Sequence, residues 1–224
     1  MQMPKVVVHS EVSADGRIDW FKAHEDLYYG LLPTWNEDAA LTGIETLFDP
    51  RTGVTREEGP VKPHVVAPDD RRPLLVVTDS KGRGYNWQFF RDWPFIRDVV
   101  VLVSSRTSES YIRYLEERHV DHIVKGEDRV DLRGALLELN RRYGVRTVRT
   151  DSGGSLNGAL LRAGLVDELS LLVAPSLVGG LSPRSFFRAP DLESPEGVIG
   201  LELFHMEKLK HDVVWLRYRV LHGR

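Results

Sequence analysis

The sequence predicts one α/β domain with a largely parallel central sheet, helices on both faces and an antiparallel pair of strands at its C-terminal end. Three observations carry this reading. Strand-like and helix-like segments alternate through the middle of the chain. The central strand-like runs lack polar alternation, as strands covered on two faces do. The tail then supplies two strand-like runs in succession, which suits an antiparallel sheet edge.

Taken in order, Lys5–Val12 is a mostly apolar run ended by the turn Ala14-Asp15-Gly16, and Trp20–Leu32 is expected to be helical. Ala39–Gly43 is a brief apolar segment, and Leu74–Thr78 and Val99–Val103 read as buried strands. Ser108–Arg118 places Tyr111, Leu115 and Arg118 at helical spacing, and Asp131–Tyr143 does the same with Leu132, Leu136 and Leu139. Asp131 suits an N-cap and Gly144 a C-terminal stop. Val145–Thr150 is a strand, Leu156–Ala163 a helix stopped by Gly164, and Glu168–Ala174 a strand. Ile199–Lys208 and Asp212–Leu221 close the chain. The Pro- and charge-rich stretches Asp49–Pro73 and Gly179–Gly197 read as exposed excursions, because the sheet pattern resumes after each. A single domain spanning 1–224, with its core at about 5–220, is therefore expected.

Composition narrows the function classes. The chain has 224 residues, 42% of them hydrophobic, enough to bury a sizeable core. A formal net charge of -3 gives no electrostatic reason to expect nucleic acid. No apolar run is long enough to span a bilayer, and the start of the chain lacks a signal peptide's layout, so a cytoplasmic protein with no membrane partner is expected. The absence of cysteine excludes disulfides, thiolate catalysis and Cys-ligated zinc. The histidines show no metal-ligand spacing, and no metal is expected. The aromatic residues of Asn86–Ile96 suit a packed loop or subunit contact rather than a base-stacking platform.

The chemistry points to Arg146–Arg162, which reads as a strand, a Gly153-Gly154 turn and the start of a helix. Such a turn aims unpaired backbone N–H groups and the positive end of a helix dipole at one spot, which suits a phosphate. Glycine lets a ligand approach the backbone, and Ser155 offers both a cap and a hydroxyl. A turn with no ligand fits the same pattern.

Several segments together resemble the pyrimidine reductase family of riboflavin biosynthesis, whose fold is dihydrofolate-reductase-like. They are Ser13-Ala-Asp-Gly-Arg-Ile18, Gly43-Ile-Glu-Thr-Leu-Phe-Asp-Pro50, Leu75-Val-Val-Thr-Asp-Ser-Lys-Gly-Arg83, Asp151-Ser-Gly-Gly-Ser-Leu-Asn157, Ala163-Gly-Leu-Val-Asp-Glu-Leu169 and Ala174-Pro-Ser-Leu-Val-Gly-Gly180. The resemblance runs from about Lys5 to Val220. It implies NADPH as cofactor, held by Gly43, Thr46, Asp49 and Ser80, with the pyrophosphate on Gly153, Gly154, Ser155 and Leu156. It implies a substrate side formed by Ser13, Asp15 and Asp151, and a homodimer. The implied reaction is hydride transfer to the opened ribosylamine of a pyrimidine 5′-phosphate, giving a ribityl group. No general acid is identified, and the zinc deaminase half found in many bacterial members is absent from these residues.

The departures from the family pattern bear on the substrate. Asp151 stands where Glu is usual and Ser152 where Gly is usual, and the Thr46–Asp49 spacing is about one residue short. An Arg common before the second strand has no counterpart in Pro33–Asp38. Local readings remain open: Asp15-Gly16 as an ordinary turn, Thr46 as a helix cap, Asp151 as a turn cap. Ser80–Arg83 reads either as a solvated turn or as one whose Lys81 or Arg83, near the cofactor, pairs with a 2′-phosphate, and Ser104–Arg106 offers a second such possibility. Two other functions also remain open, a reductase of the same fold acting on another small heteroaromatic compound, and a nucleotide-binding protein without turnover.

Overall fold

The computed structural model describes residues 2–48, 54, 55, 57, 59, 61, 64–150, 152–181 and 184–222. The first elements are β1 (Lys5–Ser13), α1 (Glu25–Gly30), β2 (Ala39–Gly43), α2 (Ile44–Leu47), β3 (Leu74–Thr78), α3 (Trp87–Arg91) and β4 (Asp98–Val103). Next come α4 (Glu109–Glu117), β5 (Asp121–Val124), α5 (Leu132–Tyr143), β6 (Thr147–Thr150) and α6 (Gly154–Arg162). The chain closes with β7 (Glu168–Ala174), β8 (Gly200–Lys208) and β9 (Val214–Leu221). These elements form two compact units interleaved along the sequence, one of Met1–Pro4 and Glu37–Val148, the other of Lys5–Asn36 and Arg149–Arg224. β6 carries the chain from the first to the second.

In the first unit the strands lie in the order β5-β4-β3-β2, and each neighbouring pair is parallel. Every residue of Leu74–Val77 and Val99–Val103 is buried, as the unbroken apolar runs require. α3 lies in the aromatic stretch that the sequence leaves as a packed loop. Asn86 caps it by accepting from the Phe89 N–H at 3.2 Å. Trp87 and Phe90 are fully buried with Ile44, Leu75 and Val101, whereas Phe89 and Phe95 are exposed. Each such buried ring is worth about 2–3 kcal/mol of burial free energy. The Ser108 hydroxyl caps α4 through the Tyr111 N–H, and the Asp131 carboxylate caps α5 through the Gly134 N–H. Gly144, at φ +68°, ends α5. β5 is a strand the sequence pattern does not reveal. It has only four residues, two of them polar, and backbone pairing with β4 makes the strand.

In the second unit the order is β1-β7-β9-β8, with β1 parallel to β7 and the last two pairings antiparallel. The helix expected over Trp20–Leu32 is confined to Glu25–Gly30, followed by a 3₁₀ turn at Leu32–Thr34. Trp20 has φ +73°, outside the helical region. The Glu11 carboxylate meanwhile captures His24 through its backbone N–H at 2.9 Å and its Nδ1 at 2.7 Å.

Two buried polar groups set the core of this unit. Glu168 accepts from Lys5 Nζ at 2.7 Å, Trp35 Nε1 at 2.9 Å and Arg217 Nε at 2.8 Å. Burial pushes its carboxyl pKa up, but these three donors outweigh burial and hold it below the ordinary glutamate value. His9 lies within 3.3 Å of the Tyr28 carbonyl through Nε2 and 3.0 Å of Ser170 Oγ through Nδ1. A carbonyl only accepts, so the network assigns the proton to Nε2. Nδ1 then accepts from the Ser170 hydroxyl, which itself accepts from Trp215 Nε1 at 2.8 Å.

Burial, with the nearby Arg149 guanidinium, pushes the His9 pKa down from 6.5 to about 3. The unfolded chain therefore takes up a proton below 6.5 that the folded chain refuses, so stability falls as pH drops through that window. Moving from about pH 7 to about pH 5 should cost about 2 kcal/mol through this residue. Urea melts of the natural protein and of His9→Gln at both pH values check this. Equal pH dependence in the two would refute it.

Candidate active site

The residues singled out by the sequence fall into two groups, one in each unit. In the second unit, β6 ends at Thr150 and α6 begins at Gly154, so the turn between them is only three residues long. Gly153 is the N-cap residue, with extended backbone and no side chain to cap the helix. Among the described residues, the N–H groups of Gly154, Ser155 and Leu156 meet no acceptor, as in any first helical turn without a cap. The Ser155 side chain is exposed. Residue 151, which opens the turn, lies outside the described residues.

The two glycines of the turn do different work. A Cβ on Gly153 would meet only Ile18 Cδ1, at 3.8 Å, so its outer face is open to a ligand. A Cβ on Gly154 would lie 2.0 Å from the Ser185 carbonyl oxygen, and one on Gly158 would lie 2.0 Å from that of Arg188. The segment running from Ser185 to Arg188 thus packs directly on the α6 backbone, and the Arg188 N–H donates to the Gly154 carbonyl at 3.0 Å. Gly154 is required by that close approach, whatever a bound ligand does. Asn157, fully buried, completes the turn. Its Nδ2 donates to the Ser152 carbonyl at 3.2 Å and the Phe186 carbonyl at 3.1 Å, while its Oδ1 accepts from the Thr150 hydroxyl at 3.0 Å. Asparagine is a poor residue for a helix interior, and that was the available signal for its special role.

A phosphate-bearing group fits these residues, because three adjacent N–H groups with no acceptor among the described residues and a helix dipole lie beside the open face of Gly153.

Ser13 and Asp15 are brought together in the same unit, where the Ser13 hydroxyl donates to Asp15 Oδ1 at 2.6 Å. Asp15 also accepts from the backbone N–H groups of Val178, at 3.0 Å, and Gly179, at 2.7 Å. These hydrogen bonds, the Ser13 hydroxyl first, hold its carboxyl far below the usual aspartate range. Asp15 is therefore an ionised clamp between the β1 turn and the loop after β7, and it has no proton to give. The Arg17 guanidinium, hydrogen-bonded to the Gly180 carbonyl, fastens the same two segments.

In the first unit, Gly43 caps α2 from the end of β2, and Thr46 lies on that helix. Asp49 lies outside the described residues. Ser80 follows β3, and its hydroxyl accepts from the Val130 N–H at 3.0 Å. Its carbonyl accepts from the hydroxyls of Ser104 and Thr107, each at 3.1 Å. Its neighbour Asp79, which the family resemblance does not single out, is buried. Asp79 Oδ2 accepts from the N–H groups of Arg83 and Gly84, both at 2.7 Å, and from the Tyr111 hydroxyl at 2.9 Å. An Asp just after a strand and ahead of Lys-Gly-Arg-Gly is a turn-closing pattern, and that was its signal. Among the described residues, no cluster of His, Asp and Glu suits a metal ion. Nor is any helix long and apolar enough to cross a membrane.

Comparison with known proteins adds to this geometry. The family model described as RibD C-terminal domain matches residues 4–215. The chain is 30% identical over 219 residues to the 2,5-diamino-6-ribosylamino-4(3H)-pyrimidinone 5′-phosphate reductase of Methanothermobacter thermautotrophicus, covering 94% of this chain and 96% of that protein. The protein of the same name from Archaeoglobus fulgidus is 32% identical over 187 residues, 79% of this chain and 83% of its own. Among solved structures, a pyrimidine reductase-like protein from Corynebacterium diphtheriae has a TM-score of 0.73 at 20% identity, covering 98% of this chain and 93% of that one. That last likeness is one of fold, and the fold is dihydrofolate-reductase-like as expected.

The contrast between the glycines is testable by stability alone. Gly154→Ala should destabilise the protein by about 1–3 kcal/mol, because its methyl group meets a backbone carbonyl that has no room to retreat. Gly153→Ala should change stability by less than about 1 kcal/mol. Thermal melts of the two variants check this, and equal losses would refute the assignment.

Proposed function

This chain belongs to the RibD C-terminal domain family, and on that premise we propose that it is an NADPH-dependent reductase of riboflavin biosynthesis. Its substrate in this reading is the 2,5-diamino-6-ribosylamino-4(3H)-pyrimidinone 5′-phosphate for which its relatives are named. The whole chain acts as a single reductase domain, and it works in the cytoplasm. A reductase of this family implies a nicotinamide cofactor. When bound, that cofactor supplies a hydride to C1 of the opened ribosyl group, giving the ribityl group.

The observation that carries the cofactor part is the uncapped first turn of α6 beside the open face of Gly153. The N–H groups of Gly154, Ser155 and Leu156 bind the pyrophosphate there, with the Ser155 hydroxyl beside them. Gly43, Thr46, Asp49 and Ser80 serve the rest of the dinucleotide. Asn157 holds the turn in shape before any ligand arrives, so binding does not have to order it. On the substrate side, Asp15 acts by clamping the β1 turn to the loop at Val178 and Gly179. Its carboxylate is already spent on internal donors, so the direct substrate contact falls to Asp151. That side chain is one methylene shorter than the Glu usual in the family, so its reach toward the substrate differs. No residue is assigned as the acid, and the proton that accompanies the hydride comes from water.

We also propose that the protein works as a homodimer. β8 is an edge strand with Leu201, Leu203, Phe204 and Met206 all exposed, and Met206 is 68% accessible. An exposed apolar edge of this length favours pairing with a second copy of the same chain. Light scattering should give twice the chain mass, and Leu203→Glu combined with Met206→Glu should give monomers. A natural protein that runs as a monomer at micromolar concentration would count against the dimer.

The activity itself is read by NADPH oxidation on addition of the pyrimidine phosphate. Gly153→Val should stay folded and weaken NADPH binding by about tenfold or more, by covering the turn. Unchanged affinity would remove the pyrophosphate assignment. Turnover of a different heteroaromatic compound, with the pyrimidine inert, would leave the cofactor site standing and replace the substrate.

A further inference from the structure

The starts of β1 and β7 and the last residues of β9 enclose a cavity of about 470 Å³. It lies at the opposite end of the strands from the turns discussed above. The nine residues of β1 run from Lys5, in the cavity wall, to Ser13, so roughly 25 Å separates the cavity from Ser13.

A bulge shapes one wall. In the β8–β9 pairing, Glu202 and His205 stand opposite Arg219 and Arg217, while Leu201, Leu203 and Met206 stand opposite Val220, Tyr218 and Leu216. Side chains alternate along a strand, so the two arginines share one face and the apolar residues of β8 take the other. The register shifts between Leu203 and His205, which frees Phe204 from that alternation. Its ring lies under the Arg217 guanidinium at 5.0 Å and the Arg219 guanidinium at 5.7 Å, on the cavity side, and is 43% exposed.

The charges in the wall favour an anion. Glu168 takes two cations at once, Lys5 through Nζ at 2.7 Å and Arg217 through Nε at 2.8 Å and Nη2 at 2.7 Å, so this group keeps an excess positive charge. Asp167 is engaged by the backbone, its Oδ2 accepting from the Val6 N–H at 2.7 Å. Lys5 is half-exposed, and an ammonium has three N–H groups, of which Glu168 uses one. Arg219 adds a further cation. It pairs with Glu202 at 2.6 Å, but the two side chains are 60% and 53% exposed. Such a pair is worth about 0–1 kcal/mol, so a phosphate dianion displaces the carboxylate readily.

We propose that this cavity binds a small aromatic phosphomonoester, at a site separate from the α6 turn. Lys5 and Arg219 hold the phosphate, and the organic part packs on the Phe204 ring. The cavity is of the size that small-molecule sites have. The proposal stands independently of the nicotinamide reading.

The test is calorimetric titration of the full chain with phenyl phosphate and, for comparison, inorganic phosphate. Phenyl phosphate should bind at this site about threefold or more tighter than inorganic phosphate. Arg219→Gln should weaken it about tenfold with the melting temperature unmoved. Glu202→Gln removes the competing carboxylate and should tighten it about twofold, a gain that structural damage does not produce. Gly153→Val covers the α6 turn and should leave this site as it is. Loss of phenyl phosphate binding in Gly153→Val, with Arg219→Gln unchanged, overturns the proposal and leaves the α6 reading standing. A natural protein that takes neither probe, or takes both equally, also overturns it.

Discussion

Strands buried on both faces offer a ligand only their ends, and the turns that leave those ends must find partners for their own backbone groups. Three such turns in this protein meet that need with one side chain each. Asp79 gathers two N–H groups after β3, Asp15 gathers two from the loop after β7, and Asn157 holds two carbonyls around the start of α6. The shape of these three turns depends on these buried or clamped polar groups. Removing one leaves unpaired backbone groups as well as a missing contact, so each is costly to lose.

In the proposed reading, this arrangement separates the residues that would touch a ligand from those that hold them. Among the described residues no acceptor meets the N–H groups of Gly154, Ser155 and Leu156, where the cap residue is a glycine, and Asn157 fixes the turn. In the turn after β3, the Asp79 carboxylate and the glycines face the core, and Lys81 and Arg83 are exposed. Pre-formed turns of this kind bind without a large ordering cost. For a reductase that matters, since the protein's contribution is to place the cofactor and its acceptor accurately.

Gly153 and Gly154 show how adjacent identical residues come to differ. In the sequence both belong to one phosphate-type pattern. In three dimensions one is open and the other is pressed by the Ser185 carbonyl. Asp15 is a similar case. Its Ser-x-Asp-Gly setting marks the position as special, yet nothing local says that its carboxylate is consumed by N–H groups 163 and 164 residues further on.

The sequence by itself determined the fold class, the place of β3, β4, β7 and β9 to within a residue or two, and the caps at Asp131 and Gly144. Those features rest on hydrophobic period and local hydrogen bonding, which act over a few residues. It also marked the glycine turn and the family segments around it. It missed α3, β5 and the short reach of α1, where aromatic packing, pairing with β4 and the capture of His24 by Glu11 override local pattern. Only the tertiary structure decided what each marked residue does. The partners of Gly154, Asp15, Ser80 and Asp79 lie tens of residues or more away in several cases, and which face is open and which carboxylate is engaged is settled by chain segments meeting in space.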